Sequence, residues 1–245
     1  MKGNDQETAP AAAAARRHDE GREWLDEVDV RGEPTGRRVS RRQAHREGIR
    51  HRTSHVWIFR TCQGRDEILL QKRSPGKDSF PNCYDISSAG HIPAGWGFRA
   101  SARRELEEEL GVTVSDGDLR WCARQSFQYD GTFYGEPFHD KQVTAIYYLV
   151  DDRPAEAFRI QRSELSEVRW FGLDECLRLV HANPTQQADG AAAKPGRRTG
   201  SGSGAAGREP AFLHCIIPEE LDLVAAAYRR ERGGTDAAAS GPKAP

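Results

Sequence analysis

The chain has 245 residues, with 36 Lys and Arg against 37 Asp and Glu, so its formal net charge is −1 and no global basic field recruits nucleic acid. Five cysteines (Cys62, Cys83, Cys122, Cys176, Cys215) are odd in number and never spaced CxxC, which argues against a disulfide framework or a zinc site and fits a reducing compartment. No apolar run approaches the roughly 18–20 residues that span a bilayer. The acids Asp5, Glu7, Asp19 and Glu20 around the Ala11–Ala15 run argue against a leader peptide, pointing to the cytoplasm and leaving organelles open.

Along the chain, residues 1–21 are low-complexity and read as a disordered tail. Trp24 to Asp29 reads as a strand entering a turn at Arg31 to Gly36. Two strands, His55 to Phe59 and Glu67 to Arg73, join through Gln63-Gly64, and Tyr84 to His91 is extended. A helix follows over 98–110: Ala102, Leu106 and Leu110 repeat at helical spacing, and Gly111 stops it as a C′ glycine. Further strands fall near 119–127, 142–150 and 167–171, and helices near 173–181 and 218–231.

Gly, Ala, Ser, Pro and charge dominate residues 182–210, which read as a flexible insertion before a closing helix at 211–232. Residues 233–245 form a second tail. Strands flanking one central helix, then a strand–helix end, predict an α/β (α+β) domain over 22–181 with a mixed sheet between helices.

The chemistry concentrates on the 98–110 helix. Glu105, Glu108 and Glu109 are three and four positions apart and share one face. Glu105 and Glu109 are like charges at i,i+4, which weakens a helix by a few tenths of a kcal/mol. A solvated surface helix gains nothing from that repulsion, although charge runs are ordinarily just solvated faces. A hard divalent cation with oxygen ligands would remove it.

The surroundings decide between those readings. Gly90, Arg104, Glu105, Leu106, Glu108, Glu109, Gly111 and Val112 stand at the spacing of one signature: Gly, five residues, Glu, seven residues, then Arg-Glu-aliphatic-x-Glu-Glu-x-Gly-aliphatic. Chance gives such a match with a probability on the order of 10⁻⁸ per start position. The chain thus resembles the Nudix hydrolases, with Trp96 standing where the family has an acid. The resemblance implies the Nudix fold and a Mg²⁺ or Mn²⁺ cofactor on Glu105, Glu108 and Glu109, with Arg104 orienting a carboxylate. It implies hydrolysis of a small-molecule diphosphate, with Glu109 or a carboxylate outside the box taking the proton of the attacking water. No nucleic-acid or membrane partner is expected, and the oligomeric state is left open.

Outer motifs are similar to the Nudix branch nearest type I isopentenyl-diphosphate isomerase. They are His51 to Trp57, Leu69 to Arg73, Lys77-Asp78, Asp85 to His91 and Gln161 to Trp170. By that resemblance His51 and His91 match metal-binding histidines and Glu136 matches a catalytic glutamate. Ala89, however, occupies the position of the isomerase thiol, and Tyr134 stands where a further acid is expected. Cys83 lies six residues earlier, about 20 Å away in an extended chain.

A hydrolase acting on a nucleoside-diphosphate- or prenyl-diphosphate-type substrate is therefore expected over an isomerase. A diphosphate-binding module without turnover is the third reading, with Trp96 as its clue. Lys72, Arg73 and Lys77 are candidate phosphate contacts. Trp57, Phe127, Tyr129, Phe133, Tyr134 and Phe138 offer surfaces for a base or a prenyl chain.

Overall fold

The computed structural model describes residues 23–77, 79–133, 135–182 and 215–239. The tail expected over 1–21 and the insertion from residue 183 to 210 lie outside the described residues, as does Tyr134.

Strands β1 (Trp24–Val28) and β2 (Pro34–Ser40) form a two-stranded antiparallel sheet leading into helix α1 (Arg41–Glu47). The main sheet contains β3 (His51–Cys62), β4 (Arg65–Arg73), β5 (Tyr84–Asp85), β7 (Arg120–Phe133) and β8 (Glu136–Val150) in the order β5-β4-β3-β8-β7. β6 (Ser88–His91) pairs with β3, and β9 (Leu165–Gly172) pairs with β4. β3 and β8 run parallel, from His51 opposite Gln142 to Phe59 opposite Val150, and the β3–β4 and β7–β8 pairs are antiparallel. Helix α2 (Phe98–Leu110) precedes β7, while α3 (Leu173–Ala182) and α4 (Pro218–Ala239) close the chain. Among the described residues no helix is long and apolar enough to cross a membrane.

β3 organises both cores. Its first nine residues are buried, and alternation sends successive side chains to opposite faces. Val56 and Ile58 pack with Ala102, Leu106 and Leu110 of α2. Trp57 and Phe59 pack with Cys176 and Val180 of α3 and with Leu221, Val224 and Tyr228 of α4. The result is the expected mixed sheet between helices. Upstream of Trp57 the same face carries His51, Thr53 and His55, buried but polar. Those residues hid the first four positions of the strand from an apolar pattern.

Other boundaries differ from the sequence expectation. β2 runs on from the turn expected at Arg31 to Gly36, and α1 falls where the sequence reading places no element, because PTGRRVS and RRQAHRE are almost wholly polar. α1 is short but capped: Ser40 Oγ accepts from the Gln43 amide at 3.2 Å, and Gly48 closes it at φ 63°. β7 and β8 continue past the expected ends into a hairpin whose aromatic tip reads as a loop in sequence. α4 runs on to Ala239, past the expected 231.

Gly111 ends α2 in the left-handed region at φ 66°, its amide on the Glu107 carbonyl. A Cβ there would lie 2.8 Å from Cβ of Arg159. Gly111→Ala is expected to cost about 1–2 kcal/mol for the backbone alone and more for the contact. Urea unfolding checks this, and an unchanged midpoint would contradict it.

Candidate functional site

A cavity of ≈ 370 Å³ opens over the polar end of β3 and is walled by residues from α2, β6, β8 and the loop after β4. α2 supplies Glu105, Glu108 and Glu109, all three on the cavity wall. The apolar stripe of Ala102, Leu106 and Leu110 is fully buried, which holds the helix down and turns its acidic face to the opening. Gly90 of β6 makes this approach possible, since a Cβ on it would lie 2.4 Å from Cδ of Glu105.

The three carboxylates differ in environment. Glu108 is exposed and pairs with Arg104 at 3.0 Å. Arg104 also donates to Glu105, so one guanidinium holds two of the acids. Burial pushes Glu105 up to about 7, with Arg104 opposing the rise and Glu108 adding to it. Glu109 is only 5% exposed and accepts from Ser88 Oγ at 2.9 Å. Burial, then the charge of Glu105, pushes it up to about 8. Trp96 stays outside, 45% exposed, with the Arg104 guanidinium 5.6 Å from its ring centre. An aromatic face therefore seats Arg104 where the signature has an acid.

A second cluster reaches the same cavity through His45 and His91, with His51 buried behind them. His45 of α1, His51 of β3 and His91 of β6 bring one ring nitrogen each within 4.8 Å of one another. His45 Nε2 and His91 Nε2 are 3.1 Å apart. His51 donates Nδ1–H to the Ile49 carbonyl at 2.9 Å, so in the neutral ring the lone pair sits on Nε2. That nitrogen lies 3.3 Å from Oδ1 of Asp140. Burial, then Arg41 and the neighbouring histidines, holds His91 well below the usual imidazole range. Asp140 is held below the carboxylate range: its burial acts the other way, and the His51 contact and the charges of His45 and His51 outweigh it.

His45 and Asp140 escape the sequence reading because it places no element at α1 and begins β8 only near 142. The one available signal was two histidines six positions apart, His45 and His51.

Other candidates divide. Arg73 and Lys77 line the cavity, Arg73 held by Asp85 at 2.9 Å and Lys77 paired with Glu164. Lys72 does not line it: strand alternation turns it from Arg73, and it stands 5.8 Å from the Tyr84 ring centre. Glu136 is exposed at the hairpin tip, opposite Phe133, and is also absent from the wall. Phe127, Tyr129 and Phe138 line the cavity together with Phe80, with Phe133 packed on them. Trp57 is instead core. Ala89 lines the wall, and so does Cys215, whose thiol meets that of Cys83.

The NUDIX domain model matches residues 49–190. This chain belongs to the Nudix family. Over 156 residues, 62% of the chain, it is 40% identical to Nudix hydrolase 3 of Arabidopsis thaliana, spanning only 20% of that protein. Over 163 residues, 64% of the chain, it is 31% identical to an uncharacterized Nudix hydrolase of Clostridium acetobutylicum, spanning 74% of it. The crystal structure of DR0079 from Deinococcus radiodurans superposes with a TM-score of 0.49 at 25% identity, over 66% of this chain and 90% of that one. Nudix enzymes are hydrolases that cleave diphosphate linkages in small molecules, and they generally use divalent metal ions.

The residues on this wall fit such an ion. Burial raises the proton affinity of Glu105 and Glu109, with Glu108 adding to the rise at Glu105 and Glu105 to that at Glu109, so the three acids form a site whose repulsion a cation relieves. The three ring nitrogens of His45, His51 and His91, all within 4.8 Å of one another, make a similar case for the histidine cluster.

Proposed function

We propose that this Nudix protein hydrolyses a nucleoside-diphosphate- or prenyl-diphosphate-type small molecule with Mg²⁺ or Mn²⁺ held by Glu105, Glu108 and Glu109. One observation carries the reading: the three signature glutamates share a cavity with two cationic side chains, Arg73 and Lys77. A bound divalent ion supplies Lewis-acid polarisation of a phosphoryl oxygen. Arg104 keeps Glu105 and Glu108 oriented. Arg73 and Lys77, steadied by Asp85 and Glu164, place positive charge opposite the acids, where a diphosphate bridges the two. Glu109, or another carboxylate of the cavity, accepts the proton of the attacking water.

The likeness to the isomerase branch belongs to the same proposal. His51 and His91, completed by His45 and Asp140, are a second site for a divalent ion. Ala89 on the wall supplies no thiol, which favours hydrolysis over isomerisation. The test is Mg²⁺-dependent hydrolysis, read as release of the monophosphate products, on a panel of nucleotide sugars, dinucleoside polyphosphates, NADH, thiamine diphosphate and isopentenyl diphosphate, with a chelator control. Release abolished by chelation supports the reading and names the substrate class. Conversion of isopentenyl diphosphate to its allylic isomer without release would overturn it.

Metal binding is also expected to depend on pH. In the metal-free protein the folded-state values of Glu105 and Glu109 lie above the ordinary 4.5. Their contribution to stability is therefore full below 4.5 and is lost as pH rises through about 7 and about 8. A divalent ion at 100 times its Kd adds about 2.7 kcal/mol, and it competes with fewer protons as pH rises. Mg²⁺ should raise the Tm more at pH 8.5 than at pH 5.5. Equal shifts in a melting series would contradict this.

A further inference from the structure

β3 also carries His55 on the cavity face, four residues beyond His51. Its Nδ1 lies 2.9 and 3.0 Å from the two carboxylate oxygens of Glu220, in the first turn of α4. A carboxylate only accepts, so Nδ1 carries the proton. The second ring nitrogen, Nε2, has no hydrogen-bond partner among the described residues and is not among the buried orphaned atoms. The ring lines the cavity, so Nε2 is the nitrogen open to it.

We infer that His55 is a further catalytic residue of this site, donating Nε2–H to a phosphate oxygen of the bound diphosphate, and that Glu220 is the positioning residue that fixes the ring and its charge. The inference rests on the hydrolase reading above.

Anchoring α4 does not require this arrangement. Leu221, Val224 and Tyr228 already pack the helix onto the sheet, and Trp57 Nε1 donates to Glu220 Oε1 at 2.8 Å. A neutral glutamine would accept that indole bond. A carboxylate only 2% exposed carries a desolvation cost, and a cationic ring beside it offsets that cost. The groups that face His55 are acids from three elements: Glu220 of α4, Asp85 of β5 and Asp140 of β8. Burial works against the imidazolium, but the charge and hydrogen bond of Glu220 outweigh it, and the ring sits above its usual value. A charged donor on a fixed ring is suited to a phosphate oxygen, because charge-assisted hydrogen bonds are the strong ones and a preset donor needs no reorganisation in the reaction.

The experiment uses the full chain with Mg²⁺ and methylenediphosphonate, a diphosphate that water does not cleave. Calorimetry at pH 7 compares the wild type with His55→Gln, Glu220→Gln and Glu109→Gln, and ¹⁵N-histidine NMR follows the wild type and Glu220→Gln. Expected are a shift of the His55 Nε2 resonance on binding and a loss of affinity of about tenfold or more in His55→Gln. Glu220→Gln should lose less affinity than His55→Gln, and the change in the His55 Nε2 resonance on ligand binding should shrink in it, which a merely structural anchor would leave unchanged.

Wild-type affinity in His55→Gln, with binding abolished in Glu109→Gln, would overturn the His55 inference and leave the hydrolase reading standing. Failure of the wild type to bind, or undiminished binding in Glu109→Gln, would count against the hydrolase reading itself. If His55→Gln does not fold, the wild-type NMR decides: an unmoved Nε2 resonance in the bound state overturns the inference.

Discussion

Glu109→Gln is expected to reduce metal-dependent turnover about 10³-fold or more while leaving the protein as stable as the wild type. The two halves of that result have one cause. Glu109 is buried between α2 and β6, with Ser88 as its hydrogen-bond partner. Its negative charge is costly there, as the rise to about 8 shows. A glutamine keeps the volume and still accepts from Ser88, but it cannot balance a dication or take a proton. A 10³-fold loss is about 4 kcal/mol of transition-state stabilisation, within the range that ligand and base together supply. Above pH 8 the neutral variant should melt no lower than the metal-free wild type. Turnover at the wild-type rate would remove Glu109 from the site, and a collapse in Tm would make it a structural residue instead.

Gly90→Ala is expected to cost about 10²-fold in kcat with little loss of fold. Gly90 is not among the residues at positive φ, so the backbone tolerates alanine. What it lacks is space, with Cδ, Cγ and Oε1 of Glu105 at 2.4, 2.6 and 2.7 Å from an added Cβ. These atoms are the far end of a flexible side chain. The chain can therefore still fold while Glu105 moves off its place, out of reach of the Arg104 contact. Displacement of a catalytic group by about 1 Å is enough for a 10²-fold loss. Kinetics with a melting curve distinguish this from unfolding, and full activity in the variant would mean that the position of Glu105 does not matter.

The acidic helix, its apolar stripe, its glycine stop and the glycine facing it were legible in sequence because all are set by spacing within one short segment. The same held for the mixed sheet, whose central strands are apolar enough to declare themselves. His51, Thr53 and His55 disguised the first part of β3, since a strand buried around a polar cavity breaks the apolar pattern. α1 was hidden by its polarity, and His45 with it. Asp140 and Glu220 reach the site only through tertiary pairing. Glu220 meets His55 across 165 positions of sequence, for which no local pattern exists. Lys72 and Glu136 stand off the cavity wall for a different reason: composition marks a cation or an acid, but strand alternation and hairpin register decide which way it points.

The most direct test of the metal assignment is anomalous diffraction at the manganese edge from crystals of this protein soaked in Mn²⁺. An anomalous peak in contact with the carboxylates of Glu105 and Glu109 is the expected result, with or without a second peak among His45, His51 and His91. A peak at the histidines alone, or none against α2, would contradict the assignment of the three glutamates as the site that turnover needs.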